Sequence, residues 1–247
     1  MNHYELHCKV YMKRDISFRE SFEVLAKYIS FSMAQDSMLK AIHDKEYAYK
    51  HYTFGNFYPT EKDQIYKSDS LYTFRLRSPD ASFVNALSKC LRGNINNPNF
   101  LVINVERHAV AEYGISELYT LTPTVVTTDP RVYWTVDRDG DILRLQRLLH
   151  DNLEKKYADF YGEKLEPERN FIQFIELKND KAQRIWMSKK SGNEKVISYH
   201  FIGNKFRIVP HEDVVSQKLA FLALGCGLGE KNAFGGGFVL GKGVERG

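Results

Sequence analysis

The chain has 247 residues, 43% of them hydrophobic, with 35 Lys and Arg against 31 Asp and Glu for a formal net charge of +4. That length suits one large domain or two ordinary ones with apolar cores, and the mild basic excess is compatible with a nucleic-acid partner. No apolar run approaches the roughly 20 residues of a membrane helix, and the alternating start MNHYELHCKV is no signal peptide, so a cytoplasmic protein without a membrane partner is expected.

Residues 3–12 alternate as a half-buried strand, and 17–33 place Phe18, Phe22, Leu25, Ala26 and Ile29 on one helical face. Strands are predicted at 52–58 and 71–77. A helix over 79–91 opens on Ser-Pro-Asp, carries Phe83, Val84, Leu87 and Leu91 on one face and closes at Gly93. A strand at 101–110 completes a βαββαβ order. The second half begins with a strand at 118–127, joined to 132–136 across a turn at Asp129-Pro130. Over 141–160, Leu145, Leu148, Leu149, Leu153 and Tyr157 form a helical stripe that Gly162 stops. Segments 171–177 and 196–209 are β-rich, the latter expected as a hairpin turning at Gly203-Asn204. Asp213 precedes a helix over 214–224, and 238–240 supplies a last strand. The expected fold is therefore α+β: two tandem ferredoxin-like, RRM-like βαββαβ domains, 1–115 and 116–247. Such domains often bind RNA, but the fold alone assigns no function.

Between the last helix and last strand stands GLGEKNAFGGGFV, with Gly227, Gly229, Gly235, Gly236 and Gly237. Glycine permits positive φ and close approach to the main chain, so the cluster suggests amides presented to a phosphate. A P-loop is excluded: Gly236 to Lys242 fits G-x-x-x-x-G-K, but Gly243 replaces the required Ser or Thr. No G-x-G-x-x-G supports a Rossmann site. The apolar residues Phe234, Phe238, Val239 and Leu240 argue against a plain linker.

No metal or cofactor is expected. Cys8, Cys90 and Cys226 lack C-x-x-C spacing, His3 and His7 have no acidic companion at ligand spacing, and Asp137, Asp139 and Asp141 lack the glycine and glutamate positions of a calcium loop.

Three stretches resemble the CRISPR-associated endoribonucleases that cut repeat RNA into guide RNAs, the sixth of the numbered CRISPR-associated proteins. They are the glycine loop, the pair LTPTVVT (121–127) and NLEKKYADFYG (152–162), and the run from Tyr28 through MLKAIHDKEYAYKHYTFGNF. The resemblance implies metal-independent cleavage in which a ribose 2′-hydroxyl attacks the adjacent phosphorus, leaving a 2′,3′-cyclic phosphate and a 5′-hydroxyl. It implies CRISPR repeat RNA as partner and leaves open further effector-complex subunits and a homodimer. His43 is the candidate proton-transfer group, since an unperturbed imidazole titrates near neutrality, with His51 as the alternative. Lys50 is the candidate for stabilising phosphoryl charge, and Tyr28 for protonating the leaving oxygen or positioning the phosphate. RNA contacts are expected from Gly227, Gly229, Lys231, Asn232, Gly235, Gly236 and Gly237, and from Arg184, Lys189, Lys190 and Lys195 around a basic hairpin tip at 186–195. A competing reading is a non-catalytic RNA-binding subunit of an effector complex, which needs no proton-transfer group.

Overall fold

A computed structural model describes residues 1–45, 49–190 and 196–244. The strands are β1 (Asn2–Met12), β2 (Ile16–Ser17), β3 (Thr53–Phe54), β4 (Ile65–Tyr66), β5 (Leu71–Ser78), β6 (Phe100–Ala111), β7 (Ile115–Thr120), β8 (Thr127–Asp129), β9 (Val132–Tyr133), β10 (Ile172–Leu177), β11 (Gln183–Lys190), β12 (Val196–Gly203), β13 (Phe206–Pro210) and β14 (Val239–Gly243). The helices are α1 (Phe18–Met33), α2 (Ser37–Asp44), α3 (Ala81–Arg92), α4 (Ile142–Tyr161) and α5 (Val214–Cys226).

Helix starts follow from local chemistry. Ser17 and Glu20 form a capping box on α1. Asp36, Asp80, Asp141 and Asp213 accept first-turn amides of α2, α3, α4 and α5. Gly162, left-handed at φ 72°, ends α4 where the sequence placed its stop.

Two antiparallel four-stranded sheets result, ordered β3-β5-β1-β6 and β10-β13-β7-β14. In each, the first strand of the unit lies between the third and fourth, so the tandem ferredoxin-like arrangement expected from the order of elements is the arrangement found. The first core packs Leu6, Cys8, Val10, Phe74 and Phe100 of the sheet against Phe22, Leu25 and Ile29 of α1 and Phe83, Leu87 and Leu91 of α3. The second packs Leu118, Ile208 and Val239 against Leu145, Leu149 and Leu153 of α4 and the apolar run of α5. Buried Arg77 on β5 ties the two together: it pairs with Glu5, donates through Nη1 to the Val239 carbonyl at 2.6 Å and stacks on Phe238 with its guanidinium 4.6 Å from the ring centroid.

Two expectations need correction. Residues 196–209 are not one hairpin: β12 pairs with β11, whereas β13 pairs with β10 and β7. The chain changes sheets at Gly203-Asn204, where buried Asn204 receives the Thr124 amide at 2.8 Å and a Cβ on Gly203 would overlap the Thr124 carbonyl. The strand starting near 118 ends at Thr120, and Thr127–Asp129 forms a separate small hairpin with β9. The sequence reading also passed over α2.

The glycine loop runs inside the molecule. Gly237 is at φ 63°, where a Cβ would overlap the Leu228 carbonyl oxygen, and at Gly235 (φ 88°) it would sit 2.5 Å from the Phe22 ring. Gly237→Ala should therefore destabilise the protein by about 2–3 kcal/mol, read as a fall in the thermal unfolding midpoint. A midpoint equal to that of the unsubstituted protein would contradict this packing.

Candidate functional site

A cleft of about 810 Å³ separates the two halves of the chain. One wall carries His43, Lys50 and His51; the other carries Lys155 and Lys156 of α4 with Glu230, Lys231 and Asn232 of the glycine loop.

His43 occupies the last turn of α2 and is exposed. Lys50 lies beneath that turn, its Nζ donating to the Ile42 and His43 carbonyls at 2.8 Å each and to that of Lys45. An ammonium at a helix C-terminus satisfies carbonyls without intrahelical partners and complements the dipole. Burial pulls the pKa of Lys50 down, with Asp44 opposing. Its donors thus face protein oxygens, and its evident effect is to hold the turn that carries His43. Residues 46–48, in the middle of the run carrying these candidates, lie outside the described residues.

His51 is engaged on both ring nitrogens. Nε2 meets Asp159 Oδ2 of α4 at 2.6 Å, and Nδ1 faces the Cys226 thiol at 3.8 Å. Burial lowers its pKa against the opposing Asp159 carboxylate. His51 therefore joins the two walls, whereas His43 is exposed at the cleft.

Tyr28 is not brought to this cleft, which corrects its expected place beside the other two. It is 2% exposed, its hydroxyl donates to the Leu91 carbonyl, its ring packs edge-on against Phe100, and burial pushes its pKa to about 12. It borders a smaller cleft with Arg14, Lys27 and Asn97.

The glycine loop also differs from the expected cradle of amides. The N–H groups of Gly227, Gly235, Gly236 and Gly237 donate to the carbonyls of Ala223, Asn232, Lys231 and Pro123, so they are engaged within the protein. Gly229, Lys231 and Asn232 border the cleft, with Lys231 Nζ 5.5 Å from the centre of the Phe201 ring. The glycines instead allow close packing: a Cβ on Gly229 would lie 2.6 Å from the Val125 carbonyl. Glu230 secures the loop by accepting from the Thr127 amide at 3.0 Å and hydroxyl at 2.8 Å.

Arg184 and Lys189 are exposed on β11, in a hairpin whose tip, 191–195, lies outside the described residues together with the Lys190 side chain. Arg184 and Lys189 do not line the cleft.

Two features escaped the sequence reading. Lys156 is 3% exposed and donates to three loop oxygens; its signal was a lysine on the same helical stripe as Leu149 and Leu153. The second is a cleft of about 760 Å³ where residues of β5 approach 121–122 and Phe238. Tyr58, 70% exposed, borders it with Arg75 and Lys205, as do Asn56 and Gln183, whose Nδ2 and Oε1 are buried without a partner among the described residues. Its residues come from distant segments and share no motif.

Residues 109–240 match the family described as CRISPR associated protein Cas6, C-terminal. The chain belongs to the Cas6 family. It is 25% identical over 240 residues to the CRISPR-associated endoribonuclease Cas6 2 of Methanocaldococcus jannaschii, covering 92% of this chain and 95% of that one. A solved structure described as CRISPR associated protein Cas6 superposes with a TM-score of 0.69 at 20% identity, covering 98% of this chain and 100% of that one. A Cas6-related protein from Pyrococcus furiosus gives 0.68 at 19% identity, covering 97% and 98%. These likenesses carry the tandem fold. No helix among the described residues is long and apolar enough to cross a membrane.

If Lys50 holds the last turn of α2, Lys50→Met should speed hydrogen exchange of the amides at 41–44 roughly two- to fivefold, matching the usual strength of a cation at a helix C-terminus. Exchange equal to wild type would deny it that role.

Proposed function

We propose that this chain is an endoribonuclease that cuts CRISPR repeat RNA, without a metal ion, by attack of a ribose 2′-hydroxyl. Membership of the Cas6 family and the likeness to a relative named as a CRISPR-associated endoribonuclease support the reading. The observation that carries it is the exposed imidazole of His43 at a cleft whose facing wall bears lysines and the glycine loop.

In this reading His43 takes the proton of the 2′-hydroxyl as O2′ forms a bond to phosphorus. The bond to the 5′ oxygen breaks, that oxygen gains a proton, and the products carry a 2′,3′-cyclic phosphate and a 5′-hydroxyl. Cations near the phosphate stabilise the charge that develops on its oxygens. Lys155 and Lys231 on the facing wall suit this role, and Lys50 acts as a positioning residue for His43. Tyr28, buried and bonded to Leu91, has no part in the step. The second cleft offers an exposed aromatic face at Tyr58 and cations at Arg75 and Lys205, the elements that hold unpaired nucleotides.

The test is cleavage of end-labelled repeat RNA in excess EDTA, beside a substrate with a 2′-deoxy nucleotide at the cut site. Cutting should persist in EDTA, stop with the deoxy substrate and leave a cyclic phosphate. Tight binding without cutting would favour the RNA-binding subunit, and loss of cutting in EDTA would overturn metal independence. His43→Ala should slow cleavage at least about 100-fold, the usual range for a lost proton-transfer group, with repeat affinity within about threefold of wild type. Undiminished cleavage would remove His43 from the mechanism. Lys231→Met should weaken binding and lower the slope of log affinity against log salt by about one; an unchanged slope would place Lys231 off the phosphate backbone.

A further inference from the structure

The buried stripe of α4 contains a charge. Lys156 follows Leu149 and Leu153 at helical spacing, yet its Nζ donates to the Gly227 carbonyl at 2.8 Å, the Gly229 carbonyl at 2.6 Å and Asn232 Oδ1 at 2.7 Å. An ammonium has three donors, and all three enter the glycine loop. Asn232 extends the contact, its Nδ2 donating to the Leu228 carbonyl at 3.3 Å and the Gly236 carbonyl at 2.9 Å. One ammonium and one amide thus gather four loop carbonyls toward α4. The partners of Lys156 are neutral oxygens, so carbonyl and amide dipoles replace the water around its charge.

We propose that Lys156 is a positioning residue for RNA, its charged amine holding the glycine loop in the shape that meets the repeat backbone. The proposal rests on the reading of this chain as a repeat-RNA enzyme. Shape alone would be served by an apolar side chain of equal length, and such a side chain would leave the carbonyls of Gly227 and Gly229 buried without partners. A protonated amine satisfies all three acceptors; a neutral one has two hydrogens for them. The charge also lies beneath a surface that would face a polyanion, in an interior where its field is weakly screened.

Burial pushes the pKa of this amine down to about 8, opposed by the carboxylate of Glu230 in the loop. The Cys226 thiol of α5, pushed up to about 12, is neutral in this range. The other charged and titratable groups facing this region are Asp151, Lys155 and Asp159 on the same helix, Lys231 of the loop, and His51 with His43, Tyr49 and Lys50 across the cleft. As pH rises through the range where Lys156 loses its proton, the clamp loses a hydrogen bond and its charge, and repeat affinity should fall.

The experiment compares wild type, Lys156→Met and Lys156→Arg by hydrogen exchange of the RNA-free protein, by binding of a repeat RNA blocked with a 2′-deoxy nucleotide at the cut site, and by single-turnover cleavage of the unblocked RNA. Lys156→Met should speed intrinsic-rate-corrected exchange across 227–237 at least about tenfold, leave α1 and α3 protected as in wild type, weaken binding at least about tenfold and keep the saturated cleavage rate within about threefold. Between about pH 7 and about pH 9.5, wild type should lose affinity about tenfold while Lys156→Arg, whose guanidinium stays charged, loses little. Unchanged exchange and affinity in Lys156→Met would overturn the proposal. If neither variant folds, wild type decides: corrected exchange across 227–237 that is flat with pH overturns it, and a rise supports it. Failure of wild type to bind the repeat would defeat the functional reading, while exchange across 227–237 would still report whether Lys156 clamps the loop.

Discussion

The architecture depends on how closely one stretch of main chain approaches its neighbours. Between α5 and β14 the backbone passes beside the Phe22 ring, the Val125 carbonyl and its own turn at Leu228, with left-handed φ at Gly227, Gly229, Lys231, Gly235 and Gly237. Side chains at the glycines would force these surfaces apart. With none there, the loop lies in the seam between the two cores and becomes a wall of the cleft that His43 borders. Glycine acts here through exclusion of volume and access to backbone angles, more than through flexibility.

Polar groups complete that seam. Arg77 carries the first sheet to the Val239 carbonyl of β14, His51 carries the first half to Asp159 of α4, and Lys156 carries α4 to the loop. Each contact joins segments distant in sequence; Arg77 and Lys156 stand where apolar packing alone would leave backbone oxygens unpaired, and His51 meets a carboxylate at the cleft edge. Specific geometry at the cleft follows from these constraints: a carbonyl or carboxylate accepts from a limited set of directions, whereas an apolar contact tolerates sliding.

The tandem fold was legible because its signals are local. Asp80 in Ser-Pro-Asp, Asp213, Gly162, and the alternation over 3–12 each act within a few residues of where they stand. His43, Lys50 and His51 could be placed near one another because they are close in the chain, but their roles could not be separated. That Lys50 bonds back to α2 while His51 reaches α4 depends on tertiary contacts. Tyr28 came from the family resemblance, which does not say what covers a residue, and here Phe100 and the end of α3 do. The glycines were recognised and their amides misassigned, since positive φ is readable from residue type and the direction of an N–H is not. Gly203-Asn204 carried a turn signal and instead marks a passage between sheets, decided by the distant Thr124.

The pairing of β7 has a consequence for how the molecule is made. This strand, Ile115–Thr120, lies inside its sheet and finds both neighbours far along the chain, β13 through Leu118 with Ile208 and β14 through Thr120 with Val239. Local collapse cannot supply either edge, so the second sheet belongs to the class of high-contact-order structures in which long loops must close before pairing gives a return. In the first sheet β1 likewise finds its neighbours β5 and β6 far along the chain. The wall formed by the glycine loop is anchored by β14, so the surface that faces His43 is complete only when that strand is paired with β7.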